Sequence, residues 1–263
     1  MLVHLIADFG GGDLAFAEVA QRIKLYLPEA TIIPTSVPPF ATLAAGFMVA
    51  QLGLNPAPKG TLIFHNVAPR KDDLDKRRDN DGERLVFAEL SGGTQVVGVH
   101  AGYALSFVRD AATRLAFVNC PARGSQFRSR DIFPQAFARA VRGEPDALAG
   151  ALAPGSIPDI PASRVAYIDG FGNIKTTLTY PLEQGLHEGD TVTVTIGKRS
   201  RKAVLTGGSF SVPQGQLALS QGSSGWHVGH EEIRFAELFL RGGSAARHFG
   251  HPSLNEPLHM TNS

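Results

Sequence analysis

The sequence predicts two domains: an α/β domain with a Rossmann-like layered sheet over residues 1–150, then a small all-β barrel over residues 151–263. Three observations carry that expectation. Strand-like and helix-like runs alternate through the first half, while short β-rich runs with little helix between them fill the second. Between them Gly143–Ser163 is rich in Ala, Pro and Gly and carries Pro154, Pro158 and Pro161, as an inter-domain connection should.

The elements follow in order. Leu2–Ile6 is an apolar strand, and Leu14–Leu27 is an amphipathic helix with Phe16, Ala20, Ile23 and Leu27 at helical spacing. Thr31–Ile33 is a short strand, Pro34–Pro39 a turn, Ala41–Leu52 a small-residue helix and Thr61–Val67 a β-rich strand. Arg84–Leu90 and Gln95–Val99 flank Ser91-Gly92-Gly93-Thr94, a hairpin signal. Arg114–Val118 is another strand, and a helix is expected near Asp131–Val141, with Asp131 capping it and Arg130 paired to a nearby carboxylate. Beyond the connection, Val165–Ile168, Ile174–Thr179, Thr191–Ile196, Lys202–Leu205, Gln216–Leu219 and Ile233–Leu240 are short strands. The polar tail after Gly250 is expected to be loose.

Composition narrows the function classes. With 43% hydrophobic and 19% charged residues the chain can bury real cores, and 25 Lys plus Arg against 24 Asp plus Glu gives no field to draw in nucleic acid or an anionic membrane. The single Cys120 excludes an intrachain disulfide and a cysteine-based zinc site. No stretch reaches the roughly 18 apolar residues of a membrane span, and a cytoplasmic location is expected.

Two acid-glycine turns carry the most chemistry. Tyr167-Ile168-Asp169-Gly170-Phe171-Gly172-Asn173 sets a carboxylate and a carboxamide on a bend between two strand-like runs. A carboxamide donates and accepts at once, as an adenine edge requires, and a nearby carboxylate can accept from ribose hydroxyls. Ala7-Asp8-Phe9-Gly10-Gly11-Gly12-Asp13 follows the first strand and precedes a helix, the place where open α/β sheets bind ligands. There Asp8 reads as a sugar-binding carboxylate or as the closure of a turn, and Asp13 as a second such acid or a helix cap.

Ser125-Gln126-Phe127-Arg128-Ser129-Arg130-Asp131-Ile132-Phe133 packs two arginines, a serine and an acid ahead of a helix, a structural pairing or an anion-binding entry. The run Ala236 to Ala246 leads a strand into small residues, including Ser244 and Ala245, that let a flat ring approach the backbone. His65 and His100 titrate in a range useful for proton transfer, or else are hydrogen-bonded at an interior edge. Arg70, within the long charged loop from Ala68 to Glu83, could orient a nucleophile; the loop itself is a lid or a solvated excursion. His227-Val228-Gly229-His230-Glu231 lies on a glycine turn and not on a helix, which argues against a metal site.

These pieces, in this order, resemble the S-adenosylmethionine hydroxide adenosyltransferases and their relatives, the S-adenosylmethionine-dependent fluorinase and chlorinase. The matching segments are Asp8-Phe9-Gly10 with Asp13, Pro38-Pro39-Phe40, Gly60-Thr61, Phe127 to Phe133, Asp169 to Asn173, and Gly243 to Ala246. The resemblance implies an α/β domain followed by a β-barrel, and a homotrimer with S-adenosylmethionine held between one subunit's N-terminal domain and a neighbour's C-terminal domain. No metal and no cofactor beyond that ligand is implied. It gives Asp8 the ribose hydroxyls, Phe40 the ribose pocket, Asp169 the methionine portion and Asn173 the adenine; Asp13, Phe171, Ser244 and Ala245 complete the expected binding set.

The chain also departs from that pattern. Ala68 stands where the water-using enzymes have the acid of their activating set, Arg128 where they have its histidine, and Val99-His100-Ala101-Gly102 where they have a Pro-Asp-Asn-Gly loop. Ser129 matches a halide-contacting serine of the fluorinase, whereas the halogenases' tyrosine falls at Ala68. His65, Arg70, His100, Arg128 and Ser129 are therefore the candidates for the chemical step. Three functions stay open: adenosyl transfer to water giving adenosine and methionine, ligand binding without catalysis, and adenosyl transfer to another nucleophile such as halide.

Overall fold

Leu2–Ala7 (β1) is apolar on both faces and accordingly lies inside a parallel sheet, between β2 (Thr31–Ser36) and β3 (Thr61–Asn66), with Leu2 opposite Thr31 on one side and Thr61 on the other. β5 (Gln95–Val99) continues the parallel set beside β3, and its hairpin partner β4 (Leu85–Leu90) runs antiparallel to it. β6 (Ala112–Val118) and β7 (Leu148–Ala151) complete a seven-stranded mixed sheet of order β2-β1-β3-β5-β4-β6-β7. The computed structural model describes residues 1–68, 82–121, 123–182, 185–208 and 210–262, and divides into two units, Met1–Asp159 and Ile160–Ser263.

Side-chain parity assigns the helices of the first unit. Phe16, Val19 and Ile23 of α1 (Leu14–Tyr26) and Phe133 and Phe137 of α4 (Phe133–Val141) share one core with Val3, Leu5, Phe64 and Val97. Asp13 starts α1 as its N-cap, accepting the Ala15 N–H at 2.8 Å. α2 (Thr42–Gly53), buried along almost its whole length, meets strand residues of the opposite parity: Gly53 faces Ile63 and Leu90. Gly46 lets the helix approach the turn at Tyr103, because a Cβ there would stand 2.3 Å from the Tyr103 carbonyl oxygen.

Several expectations are corrected here. β2 runs through Pro34 to Ser36 where a turn was expected, which an edge strand permits because its outer N–H groups need no ladder partner. A short helix α3 (Arg128–Asp131) precedes α4, so Asp131 ends one helix and does not cap the next; its carboxylate instead holds Arg130 and Ser125. β7 lies inside the stretch read as connection and pairs with β6, and the first unit extends to Asp159, past the boundary expected after residue 150. Residues 69–81, with Arg70 and the proposed lid, lie outside the described residues.

The second unit is a sheet of order β14-β10-β11-β12-β13-β9-β8, built from β8 (Val165–Ile168), β9 (Ile174–Tyr180), β10 (Thr191–Ile196), β11 (Arg199–Thr206), β12 (Leu217–Val228), β13 (Glu231–Leu240) and β14 (Leu258–Asn262). Pairing is antiparallel except between β11 and β12. In β10, Val192, Val194 and Ile196 point into the core and the intervening threonines point out, the period-2 pattern of a strand with one buried face. The tail expected to be loose forms β14 on β10, anchored by buried Leu258; burying such a side chain is worth roughly 2 kcal/mol. The chain beside β14 also meets the chain before β8, through an Arg164–Pro257 bridge and the Val165 N–H on the Glu256 carbonyl at 3.0 Å, so the sheet curls until its edges touch. β12 extends well beyond its expected end and pairs with β13 as one long hairpin, whose tip carries the His227–Glu231 group.

Candidate functional site

The parallel strands of the first unit end side by side, and the acid-glycine turn follows β1 there. Its Asp8 Oδ2 accepts the Phe40 N–H at 3.0 Å across 32 residues of chain, while Ser36 Oγ donates to the Phe9 carbonyl at 2.6 Å. Phe40 is held with φ 64 and is 37% exposed, so the Asp8 carboxylate fixes an unusual backbone conformation that presents an aromatic ring to solvent. Asp8 Oδ1 accepts no hydrogen bond from a described residue. Phe9 stacks edge-on against Phe16 at 5.2 Å and against Phe127 at 5.8 Å, which brings the Phe127–Ser129 segment beside the same turn. Asp8 and Phe40 are thus joined at one end of the sheet, with Phe127 packed beside the turn. Asp13 caps α1 through one carboxylate oxygen, Oδ1.

The candidates for the chemical step fare differently. His65 sits on β3 opposite Gly98, is fully buried, and among the described residues finds no partner for either ring nitrogen. Gly98 makes the room, since a Cβ there would stand 1.9 Å from the imidazole. Burial lowers the His65 pKa to about 4, so the ring is neutral and sealed and does not open onto a ligand site. His100, half-buried after β5, rests edge-on against Phe117 at 6.2 Å, and the Arg84 guanidinium covers that same ring at 3.3 Å. Desolvation lowers its pKa first, with Arg84 adding to the effect and a backbone contact at Ser156 opposing it. Arg128 donates to the carbonyls of Glu83 at 3.1 Å and Pro121 at 3.3 Å and lies over Phe133, so it ties the start of β4 to the chain after β6. Cys120, beside Arg128 and Arg84, has its thiol pushed up by burial. Ser129 is buried in the short helix α3.

In the second unit the Asp169 turn closes on itself. Asp169 Oδ1 accepts the N–H groups of Phe171 at 2.9 Å and Asn173 at 3.0 Å, and Oδ2 accepts Asn173 Nδ2 at 2.9 Å. Among the described residues nothing bonds to the Asn173 side-chain oxygen or to its second amide N–H, the donor-acceptor pair that an adenine edge needs. Gly172, at φ 82, lies so close to Ser244 that a Cβ would stand 2.0 Å from its hydroxyl, and the Ala246 N–H donates to the Gly172 carbonyl at 2.8 Å. Ser244 in turn caps α5 (Ala245–His248) through the Arg247 N–H at 3.1 Å. Asp169, Asn173, Ser244 and buried Ala245 are therefore neighbours, brought together from opposite ends of the unit.

This turn borders an open groove of ≈ 920 Å³ lined by Phe171, Asn173, Phe210, Ser223 and Glu237. Phe171 and Phe210 are 81% and 85% exposed, a cost in apolar exposure that a stacking ligand would remove. Glu237 and, beside it, Lys175 were not singled out in the sequence; Lys175 is the lone charge of β9, whereas Glu237 is one of four charged residues in β13 and carries no such signal. A second groove of ≈ 1010 Å³ runs along α1 and β2, but its charged side chains are engaged within the fold, Lys24 with the Pro28 and Ala30 carbonyls and the others with one another. Arg130 pairs with Glu18 at 3.0 Å and with Asp131 at 2.7 Å, and Asp131 is held at about 2 by Arg130 and Ser125.

No protein-family model and no curated protein matches the chain. Among solved structures, that of an uncharacterized conserved protein from Thermotoga maritima aligns with 98% of this chain and 100% of its own, at 19% identity and a TM-score of 0.76. A conserved hypothetical protein from Thermus thermophilus aligns with 98% of this chain and 99% of its own, at 21% identity and a TM-score of 0.67. At such identities the likeness shows the fold alone. The class defined by fold and site is a protein of two seven-stranded units with a polar, aromatic-rimmed groove in the second. Among the described residues no helix is long and apolar enough to cross a membrane.

Proposed function

We propose that the protein binds S-adenosylmethionine and transfers its adenosyl group to water, releasing adenosine and methionine. The observation that carries this reading is the Asn173 amide, locked by Asp169 at the rim of the groove with one donor and one acceptor that no described residue uses. The exposed Phe171 and Phe210 rings supply stacking surface, and Asp8, with one carboxylate oxygen beside Phe40 that no described residue uses, supplies the ribose contact. In the chemical step a water oxygen bonds to the ribose 5′ carbon as the carbon–sulfur bond breaks. Methionine leaves as a neutral thioether and the water loses a proton. Because the sulfonium charge is cancelled, alignment and exclusion of bulk water lower much of the barrier without a strong base. His100 is the histidine left to take the proton.

The reading includes a layered, Rossmann-like α/β first domain, a closed β-barrel second domain and a cytoplasmic homotrimer in which the Asp8 and Asn173 clusters of different protomers meet one ligand. A second reading, a nucleoside or S-adenosylmethionine binding protein without catalysis, is favoured by Ala68 in place of an acid and by the sealed His65. Chromatography after incubation with S-adenosylmethionine tests them. Adenosine and methionine are expected; unchanged ligand with measurable binding would establish the second reading, and a halide-dependent nucleoside would move the chemistry to Ser129.

A further inference from the structure

Glu237, which lines the groove, belongs to an ion pair that the reading above does not use. Lys175 on β9 and Glu237 on β13 are directly in register, their side chains 11% and 9% exposed, with Nζ 2.9 Å from Oε2. Ser223 joins them: its hydroxyl accepts from Lys175 Nζ at 3.1 Å and its N–H donates to Glu237 Oε2 at 3.2 Å. Register shifts between Gln221 and Gly225, and between Phe235 and Glu237, break the ladders on both sides of the pair. Desolvating two charges is costly, and apolar residues of the same volume would stabilise a fold at least as well, so the pair is poorly explained by stability. Glu237 lines the groove, and its Oε1 accepts no hydrogen bond from a described residue. Lys175, with three N–H donors, uses two of them on described residues.

A carboxylate oxygen beside an ammonium N–H, neither used by a described residue, matches a group that carries the opposite arrangement, an ammonium next to a carboxylate. Asn173 precedes Lys175 by two residues, so a base resting on the turn lies about 7 Å along the strand from this pair. Asp169 has less capacity, because both of its oxygens already accept from its own turn and only Oδ2 keeps a second lone pair.

We propose that Glu237 and Lys175 read the amino-acid head of the ligand, Glu237 taking its ammonium and Lys175 its carboxylate, in place of Asp169. This rests on the S-adenosylmethionine reading and assigns specificity within it. The test is titration of the full chain with S-adenosylmethionine and with 5′-methylthioadenosine, which keeps the nucleoside and lacks the head. Glu237→Gln should weaken S-adenosylmethionine binding at least tenfold and leave methylthioadenosine within twofold. The double variant Lys175→Met with Glu237→Met, which strands no charge, should behave the same way with its melting transition intact. Equal weakening of both ligands, or no weakening of either, would overturn the proposal while leaving the adenosyl reading in place. Wild-type protein that binds neither ligand would overturn both.

Discussion

The two acid-glycine turns look alike as sequence and use their carboxylates in opposite ways. Asp169 spends both oxygens within four residues of itself, on the Phe171 and Asn173 amides and the Asn173 side chain. Asp8 reaches 32 residues away to the Phe40 amide, and its other oxygen accepts no hydrogen bond from a described residue. The first acid builds a turn that fixes the neighbouring Asn173 side chain; the second joins two strand ends. An acid on a bend is thus a binding residue only to the extent that its lone pairs survive the fold.

The largest expected effect follows from that contrast. Asp169→Ala removes three hydrogen bonds to a carboxylate and should destabilise the second unit by about 3 to 4 kcal/mol, read as a lower denaturation midpoint. A loss below about 1 kcal/mol would show that the turn holds without its acid.

Acid provides a second contrast between the units, because the first buries His65 while the histidines of the second are exposed. Folding lowers the His65 pKa from 6.5 to about 4, so the unfolded chain binds a proton first as pH falls. The His65 contribution is intact above pH 6.5, declines by about 1.4 kcal/mol per pH unit toward pH 4, and totals at most about 3 kcal/mol. Denaturation curves across that window should show the decline, and His65→Leu should remove this component; an unchanged pH slope in the variant would place the sensitivity elsewhere.

Binding separates the turns next. Asp8→Ala and Asn173→Ala should each weaken S-adenosylmethionine or adenosine binding by about 2 kcal/mol, as loss of a polar partner in a desolvated site does, and calorimetric titration measures it. Unchanged isotherms would remove both from the site.

The smallest effect is a difference between glycines. Gly12 (φ 80) faces open space, whereas Gly172 (φ 82) abuts Ser244. Gly12→Ala should cost about 1 kcal/mol for its backbone alone, and Gly172→Ala about 1 kcal/mol more as Ser244 is displaced. Equal melting shifts would mean that the Gly172–Ser244 contact yields freely.

Local features were the readily legible ones. The strand alternation, the hairpin at Ser91–Thr94 and the Asp13 cap each depend on residues within a few positions. β14 was missed because its polar sequence has little strand signal of its own and is ordered by pairing with β10. β7 was missed because Leu148–Ala151 is short and small, and takes its register from β6.

The candidate site divides in the same way. Asp169 and Asn173 stood out because their contacts close within one turn. Lys175 and Glu237, 62 residues apart, had no meaning until β9 and β13 came into register, and Gly98 gave no sign that it would seal His65. By itself the sequence determined the turns, caps and strand periods, because those depend on short-range sterics and hydrogen bonds along the chain. The tertiary structure alone decided which acids keep a free oxygen, which histidine loses water and which charges meet, because desolvation and strand register depend on partners far apart in sequence.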